Sequence, residues 1–356
     1  MDILNLLELE HAAKQQMQQT AFDYYVSGAD DEITLRENRE AYTRLKLNYR
    51  VLTGVGARKL ETTLLGQRLS MPVIVAPAAF QRLAHDSGER ATAAATQKAG
   101  TVMCLSTLSS TSLEEIRASQ PDLPLWFQVY LYKDQALSRD LVARAKAVGA
   151  QALALTVDAP VWGRRERDIR NQFTLPKHIH LGNLMSGLDS LPSGRGSGLS
   201  AYVHEMFKLD LDYKDLEWLK AESGLPILVK GICHPKDAVL SLEHGADGIW
   251  VSNHGGRQLD TAPATIEVLP RVADAVAGRA PIIVDGGVRR GTDVVKALAL
   301  GANAVAIGRP ILWSLALGGE AAVTHTLELL RHEIDSALGL CGYGDLNVPK
   351  DLIFKP

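Results

Sequence analysis

From residue 71 onward the chain alternates between short β-branched or apolar runs and longer amphipathic or alanine-rich stretches. The apolar runs occupy residues 72–79, 101–106, 125–131, 152–158, 227–230, 248–253, 282–285 and 304–308. Such runs, separated by helical stretches, predict a parallel sheet whose strands are joined by crossover helices. The helical patterns include 89–98, 113–118, 136–148, 235–244 and 292–300, and Gly100, Gly149, Gly245 and Gly301 stand where helix C-caps belong. Eight strand–helix units over about 240 residues are the usual size of a (β/α)8 TIM barrel. A doubly wound sheet is the competitor, but no G-x-G-x-x-G follows a first strand.

The rhythm breaks between residues 158 and 227, where the gap between strands is much longer than elsewhere. The stretch 187–198 is rich in Gly and Ser and reads as a mobile loop. A loop on that face of a barrel predicts a lid, here over 176–212. Residues 1–70 precede the barrel, with helices expected around 4–26 and 33–41. The expected organisation is one α/β domain over 1–356: an N-terminal helical cap (1–70), the barrel (71–338), and the long loop after strand 4.

Composition narrows the partners. With 38 Lys+Arg against 41 Asp+Glu, the formal charge of -3 gives no reason to expect nucleic-acid binding. Cys104, Cys233 and Cys341 are widely spaced without a CxxC, which argues against a disulfide framework or a cysteine metal site and suits a reducing compartment. No apolar run reaches the ~18 residues of a membrane helix, and neither terminus reads as a targeting signal. The expectation is a cytoplasmic protein that binds neither membrane nor metal.

Function in such a barrel sits at the C-terminal ends of the strands. There the chain places Ala76-Pro77-Ala78-Ala79, Ser106-Thr107, Gln128-Val129-Tyr130, Thr156-Val157-Asp158, Lys230-Gly231 and Ser252-Asn253-His254-Gly255-Gly256-Arg257. Asp285-Gly286-Gly287-Val288-Arg289 and Gly308-Arg309 close the barrel, where glycine backbone and arginine side chains suit a phosphate. That motif fits FMN or a phosphosugar equally. Lys230 ends an apolar strand, either as a Schiff-base amine of a barrel aldolase or as positive charge beside an electron-rich ring. His254, three residues from Arg257, suits a base beside an arginine-held carboxylate, and Asp158 suits a partner that raises the histidine's basicity. A further arginine comes from Arg164-Arg165.

Over residues 4–342 the chain resembles the FMN-dependent L-2-hydroxy-acid oxidising family, which includes glycolate, lactate and mandelate oxidases. The resemblance is carried by Val251-Ser252-Asn253-His254-Gly255-Gly256-Arg257-Gln258-Leu259-Asp260, Asp23-Tyr24-Tyr25, Gly163-Arg164-Arg165 and Asp285-Gly286-Gly287-Val288-Arg289-Arg290-Gly291. It implies His254 as active-site base paired with Asp158. Arg257, Arg165 and Tyr24 would hold the substrate carboxylate, and Tyr130 the hydroxyl or carbonyl oxygen. Lys230 would lie by the flavin N1–O2 edge. Ala76, Pro77, Ala78, Ala79, Ser106, Gln128, Thr156 and Ser252 would contact the isoalloxazine, and Asp285, Gly286, Gly287, Arg289, Gly308 and Arg309 the ribityl phosphate.

Plant glycolate oxidase carries a bulky aromatic where this chain has Leu108, which leaves room for a larger substrate. The run 163–173 looks most like bacterial lactate oxidases, and Trp162 replaces an aliphatic residue. The resemblance thus favours L-lactate over glycolate and mandelate, with O2 reduced to H2O2. A dehydrogenase passing electrons to a quinone or cytochrome is the alternative within the family. It further implies a homo-oligomer, a tetramer or octamer.

Overall fold

The computed structural model describes residues 3–184, 190–192 and 196–354. A short antiparallel hairpin, β1 (Thr62–Leu64) and β2 (Gln67–Leu69), precedes eight parallel strands. These are β3 (Val73–Val75), β4 (Met103–Ser106), β5 (Leu125–Val129), β6 (Ala152–Thr156), β7 (Ile227–Ile232), β8 (Gly248–Val251), β9 (Ile282–Val284) and β10 (Ala304–Ile307). Neighbours pair in chain order and β10 pairs β3, closing the expected (β/α)8 barrel. Several strands are shorter than the apolar runs that announced them. The ends of those runs leave the ladder and turn into the mouth, as Ala76 to Ala79 do after β3.

Alternating strand residues face inward and fill the barrel. Trp126 and Trp250 pack among Ala152, Ala154, Ala304 and Ala306, with Leu64 and Leu69 of the hairpin in the same cluster. Large rings set against alanines fill a closed barrel without voids. The hairpin thus plugs the barrel floor. It was not legible in the sequence because Leu65 and Gly66, both at positive φ (48° and 79°), make its two-residue turn. A leucine is a poor signal for a position where Asn or Gly is expected.

The expected barrel helices are present within a residue or two, from Gly88–Ala99 to Gly291–Ala299. Gly100 caps the first in the left-handed region, while Gly149, Gly245 and Gly301 take positive φ one residue beyond their caps. Thr265–Val276 follows β8, and Arg309–Cys341 follows β10 with a break at Gly318 and Gly319. The expected helix over 4–26 is two helices, Glu8–Gln16 and Gln19–Val26, because Met17 and Gln18 are extended. Ile33–Arg44 runs three residues beyond expectation.

The long interval after β6 contains the helices Glu166–Arg170, Gly198–Met206 and Tyr213–Ser223. Of the loop expected at 187–198, residues 187–189 and 193–195 lie outside the described residues. In the described part, Leu191, Leu199, Tyr202 and Phe207 are buried, so this stretch packs as structure rather than as open loop. Among the described residues no helix is long and apolar enough to cross a membrane.

Candidate active site

A cavity opens at the C-terminal mouth of the barrel, lined by most of the residues singled out from the sequence. One side is the backbone of Ala76, Pro77, Ala78 and Ala79. Next to it runs a hydrogen-bonded row across three strands. Ser106 Oγ donates to Gln128 Oε1 (3.2 Å), and Gln128 Nε2 donates to Thr156 Oγ1 (3.0 Å).

Lys230 is buried beside this row. Its Nζ donates to Ser252 Oγ at 3.1 Å and lies 3.7 Å from Asp285 Oδ2. Asp285 also accepts from Ser252 Oγ (2.8 Å) and Trp250 Nε1 (2.9 Å), so the buried ion pair is well hydrogen-bonded. An amine held in an ion pair is a fixed charge rather than the free nucleophile that a Schiff base requires. Ser252 itself is fully buried and does not line the cavity; it links Lys230, Asp285 and the His254 backbone N–H.

His254 projects from a turn in which three successive residues, His254, Gly255 and Gly256, take positive φ (57°, 64° and 74°). This backbone, costly for a histidine, aims the imidazole into the cavity. Nδ1 lies 2.9 Å from Asp158 Oδ1, with Asp158 behind the ring rather than in the cavity wall. Burial holds the His254 pKa below its ordinary value; Asp158 opposes that shift and Lys230 adds to it. The expectation that Asp158 raises the histidine's basicity is thus half of the outcome, because burial outweighs it. Burial works to raise Asp158, but His254 and Lys230 hold it below the usual carboxylate range. An ionised Asp158 facing Nδ1 fixes the proton there and leaves the Nε2 lone pair toward the cavity.

Two guanidiniums line the same cavity as the imidazole. Arg165 is buried, stacked 3.9 Å over Trp162, and among the described residues its hydrogen bonds are long, 3.4 Å to Arg257 O and to Gln258 Oε1. Burial first, then the neighbouring Arg257, pulls its pKa down to about 9. Gly163 permits this packing, since a Cβ there would overlap the Arg257 carbonyl oxygen. Arg257 Nη1 is anchored on Tyr24 O (2.7 Å) and Ser27 O (2.9 Å), and its guanidinium lies 5.0 Å from the Tyr24 ring. Among the described residues neither arginine has a carboxylate within 4.0 Å. Tyr130 and Leu108 complete this half of the wall, and burial pushes the Tyr130 phenol well up.

At the far end Gly286, Gly287, Arg289, Gly308 and Arg309 line the cavity. Arg289 is buried and its Nε has no partner among the described residues. Arg309 is differently engaged: its guanidinium donates to the carbonyls of Tyr25 (2.8 Å), Gly255 (2.9 Å) and Ser27 (3.0 Å), tying Gln19–Val26 to the His254 turn. Burial, with Arg257 and Arg289 nearby, holds its pKa well below the ordinary value. Arg289 Nη1 donates to Val288 O (2.8 Å), and the unpartnered buried Nε calls for an anion, while the Ser106–Gln128–Thr156 row and Lys230 suit a flat ring bearing carbonyl and nitrogen acceptors. These residues fit FMN: Arg289 would hold its phosphate, and Gln128 and Lys230 would meet its ring.

Tyr25 and Gly255, which stood within the quoted motifs, also line the cavity, as does Leu312, which was not singled out. Nor were Phe173 and Phe207, whose rings stack on Tyr24 and Tyr130. Their apolar identity gave no signal, because the contacts join distant parts of the chain.

The FMN-dependent dehydrogenase family model matches residues 13–353. An L-lactate oxidase of Nostoc sp. is 52% identical over 350 residues, covering 96% of this chain and 95% of that protein. Glycolate oxidase 1 of Zea mays is 48% identical, covering 96% and 92%. The crystal structure of mandelate oxidase with (S)-4-hydroxymandelic acid superposes with a TM-score of 0.93 at 40% identity, covering 97% and 96%. The chain therefore belongs to the FMN-dependent dehydrogenase family, among its 2-hydroxy-acid oxidases, and its cofactor is FMN.

Proposed function

We propose that the protein oxidises L-lactate to pyruvate and reduces O2 to H2O2. The observation that carries this reading is the His254–Asp158 pair in one cavity with two arginines that, among the described residues, have no carboxylate within 4.0 Å, Asp168 being the nearby buried acid. A base and an anion clamp across one cavity suit a small acid whose hydroxyl lies beside its carboxylate.

Arg165 and Arg257 bind the carboxylate, assisted by Tyr24. Tyr130 donates to the hydroxyl or developing carbonyl oxygen. His254 takes the substrate proton at Nε2, and Asp158 stabilises the imidazolium that forms. FMN, when bound, would supply the two-electron acceptor chemistry, with O2 as the terminal oxidant. Lys230 holds positive charge where the ring gains electrons, and Arg289, Arg309 and the Gly286, Gly287 and Gly308 backbone hold the phosphate end. Ser252 serves through Lys230 and Asp285.

Leu108 supports lactate over glycolate, since a leucine leaves space for the substrate methyl. Trp162 on the same wall keeps mandelate as the second reading, because an aryl group can pack on an indole. The ion-paired Lys230 speaks against the Schiff-base alternative. Further parts of the proposal are a single domain with residues 1–70 as its cap, 176–212 as cover for the mouth, and a cytoplasmic homo-oligomer, tetramer or octamer. Peroxide formed during aerobic turnover of L-lactate tests the oxidase reading; electron transfer only to an added quinone or cytochrome would replace it.

A further inference from the structure

Tyr24 and Tyr130 reach the cavity from elements far apart in the sequence, yet both rest on phenylalanines from the same interval between β6 and β7. Phe173 stacks on Tyr24 with centroids 4.3 Å apart and planes 6° from parallel. Phe207 stacks on Tyr130 at 4.6 Å and 26°. Both phenylalanines are buried. Among the described residues no hydrogen bond holds the Tyr130 hydroxyl, whose residue is tied through its backbone N–H to Thr107 Oγ1. The face of its ring therefore fixes the direction of its O–H.

The phenylalanines are themselves held by backbone. Phe173 O accepts from Gly198 N (2.9 Å), where a Cβ would overlap the Pro192 carbonyl oxygen. Phe207 forms an isolated β-bridge with Tyr132, and Lys208 N donates to Leu131 O (2.8 Å), which binds the Phe207–Lys208 backbone to the residues just after Tyr130. Tyr132 and Tyr202 meet the Phe207 ring edge-on at 5.1 Å and 6.0 Å, so three tyrosines pack on one phenylalanine.

We infer that Phe173 and Phe207 are positioning residues with separate duties: Phe173 sets substrate-carboxylate affinity through Tyr24, and Phe207 sets the rate of oxidation through the Tyr130 hydroxyl. The inference rests on the substrate contacts assigned above to the two tyrosines. A ring pair is worth a modest free energy beyond its burial, enough for about a two- to tenfold change in binding. Small misplacement of a group at the reacting centre costs more, up to about a hundredfold in rate.

The test uses the FMN-loaded enzyme and its variants, followed by anaerobic flavin reduction with L-lactate and by pyruvate titration of the flavin spectrum. Phe173→Leu is expected to weaken lactate and pyruvate binding about two- to tenfold with the limiting reduction rate unchanged. Phe207→Leu is expected to slow the limiting rate at least about tenfold with binding nearly unchanged, and Phe207→Tyr to restore it. In a Tyr130→Phe background, Phe207→Leu should add less than about a twofold loss, because its effect passes through the missing hydroxyl. If Phe207→Leu fails to hold FMN, Phe207→Met keeps the volume without the ring plane and takes its place. Equal losses in both backgrounds, or an unsplit effect of the two phenylalanines, would overturn the inference alone. An unimpaired Tyr130→Phe would overturn it together with the role given to Tyr130.

Discussion

Asp158 Oδ1 lies 2.9 Å from His254 Nδ1, behind the imidazole and away from the cavity. The carboxylate cannot reach a substrate; its influence passes through the ring. It fixes the tautomer that leaves Nε2 free and stabilises the charge that appears there when a proton arrives. Held by a backbone of positive φ, this ring has a single direction in which to work.

His254→Asn should retain FMN and lose flavin reduction by about two to four orders of magnitude. Asparagine tolerates the left-handed backbone at this position, so the loss would report the base rather than the turn. Visible absorbance after purification and anaerobic stopped-flow with L-lactate measure the two halves separately. A variant that lost FMN yet reduced it normally after reconstitution would remove His254 from the chemistry.

The working base is the neutral imidazole, so the reduction rate rises with pH as His254 loses its proton. Burial lowers that pKa, opposed by Asp158. The acid limb of the rate profile should thus lie below about pH 6.5, the ordinary histidine value. In Asp158→Asn the opposing carboxylate charge is gone. The limb should move to still lower pH while the plateau rate falls. A limb that moved upward would show that Asp158 is not the imidazole's counter-charge.

Arg257→Lys should raise KM for the 2-hydroxy acid about tenfold or more. The native guanidinium is anchored to Tyr24 O and Ser27 O through Nη1, keeping its remaining N–H groups for the substrate. An ammonium cannot meet both demands in the same plane. Steady-state kinetics with unchanged KM and kcat would place the carboxylate elsewhere.

Leu108→Trp should reduce kcat/KM for L-lactate about ten- to two-hundredfold while sparing glycolate, because the indole takes the space of the substrate methyl. Kinetics with the two acids side by side decide it; equal losses would mean that Leu108 does not face that methyl.

Legibility in the sequence followed the physical origin of each feature. The eight strands were readable because each is buried on both faces and so continuously apolar, and the mouth followed because polar residues interrupt those runs at one end. His254, Arg257 and Lys230 stood out as charges beside glycine or at the end of an apolar strand. The floor hairpin did not, since Leu65 adopts a turn geometry that leucine rarely takes. The three bonds from Arg309 to backbone carbonyls were not legible either, because they depend on where Gln19–Val26 packs. The net shift at His254 was unreadable for a similar reason: a sequence names the charged neighbour, whereas the opposing burial exists only once the barrel has closed.

Anaerobic mixing of the purified protein with L-lactate, glycolate and L-mandelate, read by visible absorbance before and after admitting air, is the most direct test. L-lactate should bleach the flavin band fastest, and air should restore it rapidly with one H2O2 per turnover. Faster bleaching by glycolate or L-mandelate would contradict the substrate, slow recovery in air would contradict O2 as acceptor, and no bleaching by any of the three would contradict 2-hydroxy-acid oxidation itself.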